Sequence, residues 1–101
     1  MYQGTTPSLI YDIPQEVDID NAIDVYVSFS KNGKTFLTDK TPTIDNNKVI
    51  VYLEQEETLK FPLGDVQVQL NYTFMEDGKK KRNCSDIATE RVRWNAYNDV
   101  M

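Results

Sequence analysis

Residues 64–82, GDVQVQLNYTFMEDGKKKR, decide the fold class. Val66, Val68, Leu70, Tyr72 and Phe74 are apolar, and Asp65, Gln67, Gln69, Asn71 and Thr73 between them are polar. Side chains on a strand point to alternate faces, so this is a long strand with one dry face and one wet face. Asp77-Gly78 follows at once, and this pair suits the left-handed backbone of a two-residue hairpin turn. The segment therefore demands an antiparallel sheet that buries one face against something else. It announces no reaction.

Upstream, residues 7–13 (PSLIYDI) read as a short strand stopped by Pro14, which cannot donate to a ladder. Residues 15–21 (QEVDIDN) are polar and acidic and read as a surface connection. Alternation returns over residues 24–30, with Val25, Val27 and Phe29 on one face and Tyr26, Ser28 and Ser30 on the other. Asn32-Gly33 is a second hairpin signal, with residues 34–39 as the returning strand. A short edge strand is expected over residues 42–45, before the turn cluster Asp45-Asn46-Asn47. Residues 48–53 (KVIVYL) direct Val49, Val51 and Leu53 inward. Residues 54–60 hold the only good run of helix formers, closed by Pro62, and predict a turn or two of helix crossing between sheets.

Downstream, a last strand is expected from about residue 85 to 94. Ile87 and Thr89 alternate in one register, Val92 and Trp94 in the other. Holding either register would drive Glu90 or Arg91 into the core, so a bulge is expected over residues 89–91. Residues 95–101 read as a frayed end or a docking tail. Strands every ten residues or so, with turns between them, predict an all-β sandwich or small barrel. An immunoglobulin-like antiparallel sandwich of about seven strands is favoured, because the connection over residues 55–63 is long enough to change sheets, where such a domain crosses from strand E to strand F. The 101 residues fit one domain with one core.

Composition narrows the function. With 40% hydrophobic and 11% aromatic residues the chain is an ordinary globular sequence, and no apolar run is long enough to span a membrane. Residues 1–7 carry no basic start or apolar stretch of a secretory signal, so synthesis in the cytoplasm is expected. A net charge of −5 argues against nucleic acid, which needs a positive surface. The one basic run, Lys79, Lys80, Lys81 and Arg82, falls at the hairpin tip. It reads first as a solvated tip and second as a contact for an acidic neighbouring subunit.

The chain has no histidine, which removes the commonest general base and the usual zinc ligand. The single cysteine, Cys84, cannot form an internal disulfide and is expected as an inert, half-buried thiol. Asp18, Asp20 and Asp24, and separately Asp45-Asn46-Asn47, could offer oxygens to calcium, but neither has the ligand order of a calcium loop; turn formation explains them. Glu54, Glu56 and Glu57 are explained by the start of a short helix, where negative charge is favourable. No catalytic residue, metal site or cofactor is expected. Tyr72 is expected in the core and Trp94 over the sheet end. Tyr26 and Tyr52 lie on the non-core faces of their strands and are the best candidates for a solvent-facing patch.

Three stretches together carry a resemblance: residues 5–33 (TTPSLIYDIPQEVDIDNAIDVYVSFSKNG), 46–74 (NNKVIVYLEQEETLKFPLGDVQVQLNYTF) and 76–94 (EDGKKKRNCSDIATERVRW). They resemble small proteins of tail-gene regions in phages and prophages of Gram-positive bacteria. They are also similar to the N-terminal immunoglobulin-like domain of phage baseplate upper proteins. The shared pattern is an acidic helical turn with a leucine (residues 54–59), a glycine-started long strand (64–74), a D-G hairpin and a final strand. The resemblance implies a structural or adaptor protein of the virion tail or baseplate, with other tail proteins, or further copies of itself, as partners. It brings no catalytic residues. In baseplate proteins a longer, receptor-binding chain follows the domain; ending at Met101 favours a stand-alone component. A carbohydrate-binding module for host-wall adhesion is the rival expectation.

Overall fold

The computed structural model describes every residue except Asn98, and of Asp39 the backbone only. Seven strands form: β1 (Ser8–Asp12), β2 (Val25–Lys31), β3 (Lys34–Lys40), β4 (Thr43–Asp45), β5 (Lys48–Tyr52), β6 (Gly64–Glu76) and β7 (Lys79–Val92). A short helix, α1 (Gln55–Leu59), joins β5 to β6, and a single 3₁₀ turn (Ile19–Asn21) interrupts the acidic connection. All strand pairing is antiparallel, in a three-stranded sheet ordered β1-β5-β4 and a four-stranded sheet ordered β3-β2-β6-β7. With β1 to β7 taken as the B, C, C′, D, E, F and G strands of an immunoglobulin-like sandwich, the orders become B-E-D and C′-C-F-G. That is the sheet arrangement of this fold without its A strand. The N-terminus supplies one parallel bridge, Tyr2 to Arg93, at the end of β7.

The core is what alternation demands. Val27, Phe29, Val66, Val68, Leu70 and Tyr72 of one sheet meet Val49 and Val51 of the other, with Leu53 and Phe61 from the connection. The hairpin turns Asn32-Gly33, Asn46-Asn47 and Asp77-Gly78 all hold both residues at positive φ, the geometry that matches strand twist. At α1 the Glu54 amide donates to the Glu57 carboxylate at 2.9 Å, satisfying one of the orphan donors of a helix start. Glu57 also pairs with Lys40 of β3 at 3.0 Å, which ties the crossing to the four-stranded sheet.

Four expectations are corrected. The last strand starts at Lys79, immediately after the turn, and not near residue 85. The extra residue is Ile87, because Val68 pairs with Ala88 and Gln69 with Asp86. Glu90 therefore does face inward, half-buried, and it is neutralised there. The Tyr11 hydroxyl donates to its carboxylate at 2.7 Å, and the Met1 ammonium lies 3.8 Å away while donating to the Arg91 carbonyl at 2.8 Å. Cys84 is exposed, because it shares the outer face with Asn71, its partner on β6. Trp94 is 63% exposed, since β7 ends two residues earlier and no sheet remains beneath it.

Candidate functional site

The β6–β7 hairpin is the longest element and outruns its sheet. Pairing of β2 with β6 ends at Val25 and Tyr72, and the last backbone bonds from a third segment join Thr73 to Ile23 and Asp24. Beyond them residues 74–76 and 79–81 pair only with each other. The result is a two-stranded ribbon running roughly 10 Å beyond the last backbone pairing with a third segment, at about 3.4 Å per residue, with Phe74 still packed against the core and the acidic connection beside it as far as Met75. The molecule is accordingly long, 52 × 28 × 20 Å. Lys79, Lys80 and Lys81 lie on this ribbon and Arg82 at its base, and all four are exposed.

Because strand side chains alternate, the four cations divide between two faces. Lys80 and Arg82 lie on the outer face of the four-stranded sheet, across from Met75 and Thr73. Lys80 Nζ sits 3.3 Å from the Asp24 carboxylate, and Arg82 Nη2 donates to Asn71 Oδ1 at 3.0 Å. Thr73 Oγ1 donates to the same Asp24 carboxylate at 3.2 Å and accepts the Asp24 amide at 3.1 Å. These bonds stiffen the base of the ribbon. Tyr26 joins Lys80 and Arg82 in one shallow groove of about 300 Å³.

Lys79 and Lys81 take the other face, opposite Glu76 and Phe74. Neither makes an ion pair among the described residues. This face continues into a groove of about 430 Å³ between the ribbon and the acidic connection. Tyr72 and Phe74, with ring centroids 6.0 Å apart, form its floor, and Glu16, Asp18 and Asn83 stand at its margins. Asp18 accepts a 2.7 Å hydrogen bond from the Asn21 amide, which is a turn-forming role. Among the described residues no three acidic or cysteine side chains converge to hold a metal ion.

The structure thus unites three of the sequence-predicted contact residues, Tyr26, Lys80 and Arg82, and sends Lys79 and Lys81 to the opposite face. Tyr52, 56% exposed, belongs to the outer face of the other sheet, across from Ser8 and diagonal to exposed Ile10. Tyr26 and Tyr52 therefore face away from each other and form no aromatic pair. The groove between Glu16, Asp18 and the Tyr72–Phe74 floor had no sequence signal, since more than fifty residues separate its two sides. Exposed Met75 and Ile23 at the ribbon base were also missed; Met75 occupies a polar slot of the alternation.

Among the described residues, Tyr11 is a titrating group displaced by its surroundings. Burial chiefly, then the hydrogen bond to Glu90 and the Glu90 charge, push its hydroxyl well above the usual tyrosine range. This group belongs to the seam between the sheets and not to the ribbon. No helix among the described residues is long and apolar enough to cross a membrane. No protein-family model matches the chain, and no curated protein or solved structure matches it.

Proposed function

We propose that the chain is a non-enzymatic structural or adaptor protein of a phage or prophage tail or baseplate, made in the bacterial cytoplasm and carried in the virion. Its work is protein–protein contact. The observation that carries this reading is the ribbon: a cationic two-stranded prong at one end of an otherwise acidic chain, with a stiffened base. Such a shape suits reaching an acidic neighbouring subunit, because complementary charge steers encounter and fixes register. The outer-face group of Lys80, Arg82 and Tyr26 is the contact, and it combines cations with an exposed ring, the mixture enriched in interfaces. Free edges at β3 and β4 offer backbone groups to a partner strand.

Mass spectrometry of particles purified after inducing the source strain's prophage tests the reading. Peptides of this chain at a fixed ratio to tail proteins support it; the protein free in the lysate and missing from particles overturns it. Within the same system, replacing Lys80 and Arg82 by Gln should reduce incorporation at least severalfold. Stability should change by no more than about 1 kcal/mol, since exposed ion pairs contribute little.

A second reading, a carbohydrate-binding module for wall adhesion, draws on exposed Trp94 and Tyr97. Titration with host wall fragments, read by heat and by tryptophan fluorescence, decides it. No heat and an unchanged emission spectrum would rule it out.

A further inference from the structure

The run 79–82 contributes +4 to a chain whose net charge is −5, so the remaining residues sum to −9. The separation is local as well as global. On the inner face of the ribbon Lys79 and Lys81 stand along β7, with Lys81 two residues nearer the tip than Asn83 of the groove. Across the aromatic floor stand Glu16 and Asp18, both exposed and neither in an ion pair among the described residues. The groove thus has an acidic lip and an apolar floor of Tyr72 and Phe74, and Lys79 and Lys81, which do not line it, form a basic lip farther along the same strand face toward the tip.

A groove of this kind is complementary to its own copy turned by a two-fold axis. The basic lip of one molecule meets the acidic lip of the other, and the same contact repeats in reverse, which is the defining property of an isologous interface. We propose that the inner face of the β6–β7 ribbon docks a second copy of this chain, with Lys79 and Lys81 against Glu16 and Asp18 in both directions. The projecting ribbon supplies the reach, since residues 74–76 and 79–81 have no third strand to cover them. Rotation closes the pair at two, so the contact builds a dimer and no filament. The outer face, with Tyr26, Lys80 and Arg82, stays free in that dimer for another protein. The inference rests on reading this end as a contact surface, and it holds whether or not the chain enters a virion.

The lips are few and exposed, so the association is weak and salt-dependent. Charges in solvent are screened over about 10 Å at 0.1 M salt and about 3 Å at 1 M. Sedimentation velocity of the purified chain, at high protein concentration and low salt, should show a monomer–dimer equilibrium that shifts to monomer near 1 M salt. Lys79→Glu with Lys81→Glu makes both lips acidic. Glu16→Lys with Asp18→Asn makes both basic and keeps an acceptor for the Asn21 amide. Each double variant should melt as the wild type does and lose dimer by about tenfold or more, a 1.4 kcal/mol effect spread over several pairs. Mixed together, the two variants should form a one-to-one heterodimer, because every facing lip is then opposite in charge.

A wild type that stays monomeric at low salt overturns the proposal and leaves a different protein as the occupant of the groove. So does a mixture of the two variants that fails to pair. A monomeric chain that is nonetheless found at a fixed ratio in particles would sink the dimer alone. A dimer missing from particles would sink the tail reading alone.

Discussion

At the scale of single residues, the informative group is the one that breaks the hydrophobic pattern. Glu90 occupies a core-facing position on β7 because the Ile87 bulge resets the faces, and a lone carboxylate there would cost several kcal/mol. Tyr11 and the Met1 ammonium remove that cost by donating a hydrogen bond and a positive charge. The consequence is a pH dependence. In the folded chain the Tyr11 hydroxyl is held protonated above the value of about 10 that it has when unfolded. Its contribution to stability is fully present below that unfolded value. As pH rises beyond it, the unfolded chain releases a proton that the folded chain keeps, so stability falls. Tyr11→Phe should therefore flatten the decline in melting temperature above about pH 10. At neutral pH it should cost roughly 1–3 kcal/mol, because a hydrogen bond to a charged acceptor is lost. Chemical denaturation at pH 7 and pH 10.5, on both proteins, checks the two effects. A wild-type stability that holds level through pH 10.5 would refute the assignment.

At the scale of elements, backbone conformation rather than packing decides where substitutions hurt. Gly78 has φ +75° at the ribbon turn, with open space where a Cβ would stand. Gly64 has φ +98° at the start of β6, and a Cβ there would come within 2.6 Å of Lys31 Nζ, which caps the Leu63 carbonyl. Gly78→Ala should thus cost only the left-handed penalty of about 1 kcal/mol. Gly64→Ala should cost about 2–3 kcal/mol, because the Lys31 bond goes as well. Equal midpoints for the two variants in urea would show that the Lys31 cap contributes nothing. The same contrast explains which elements were legible beforehand. Strict alternation fixed β6 and the facing of β2 and β5, and the Asn-Gly and Asp-Gly pairs marked two turns. The start of β7 was hidden because residues 79–84 are all exposed, so there is no apolar period to read. The bulges, two along β3 and one on β7, were hidden for another reason. Ile87 on β7 and the extra residue at Phe36 on β3 are set by register against a partner strand, which a single segment does not encode. The acidic margin of the groove meets Tyr72 and Phe74 only once the sheets are stacked.

At the scale of the whole molecule, stability and contact lie at opposite ends. The four-stranded sheet runs from the Gly64–Val92 pair to the Glu76–Lys79 pair, and the basic ribbon occupies the second end alone. Toward the first end the crossing from one sheet to the other is pinned by rings. Phe61 lies 5.1 Å from Phe29 and 4.7 Å from Phe36, the latter edge-on, and Phe36 reaches it because the β3 bulge turns both Phe36 and Leu37 toward the core. Backbone anchors reinforce the site: buried Thr58 donates to the Thr5 carbonyl at 2.7 Å, and the Phe61 carbonyl accepts from Gln3 at 2.8 Å. Phe61→Ala should remove about 3–5 kcal/mol, a large share of the roughly 5–15 kcal/mol that stabilises a domain of this size. The melting temperature should then fall by roughly 12–40 °C, at about 4–8 °C per kcal/mol. The ribbon charge variants, acting at the far end on solvated groups, should shift it by a few degrees at most. Differential scanning calorimetry on the three proteins separates the two regions. If Phe61→Ala melted within a few degrees of the wild type, the ring cluster would not be what holds the crossing to the sheet. If instead the ribbon variants fell as far as Phe61→Ala, the ribbon would be part of the fold's support rather than a surface left over for a partner.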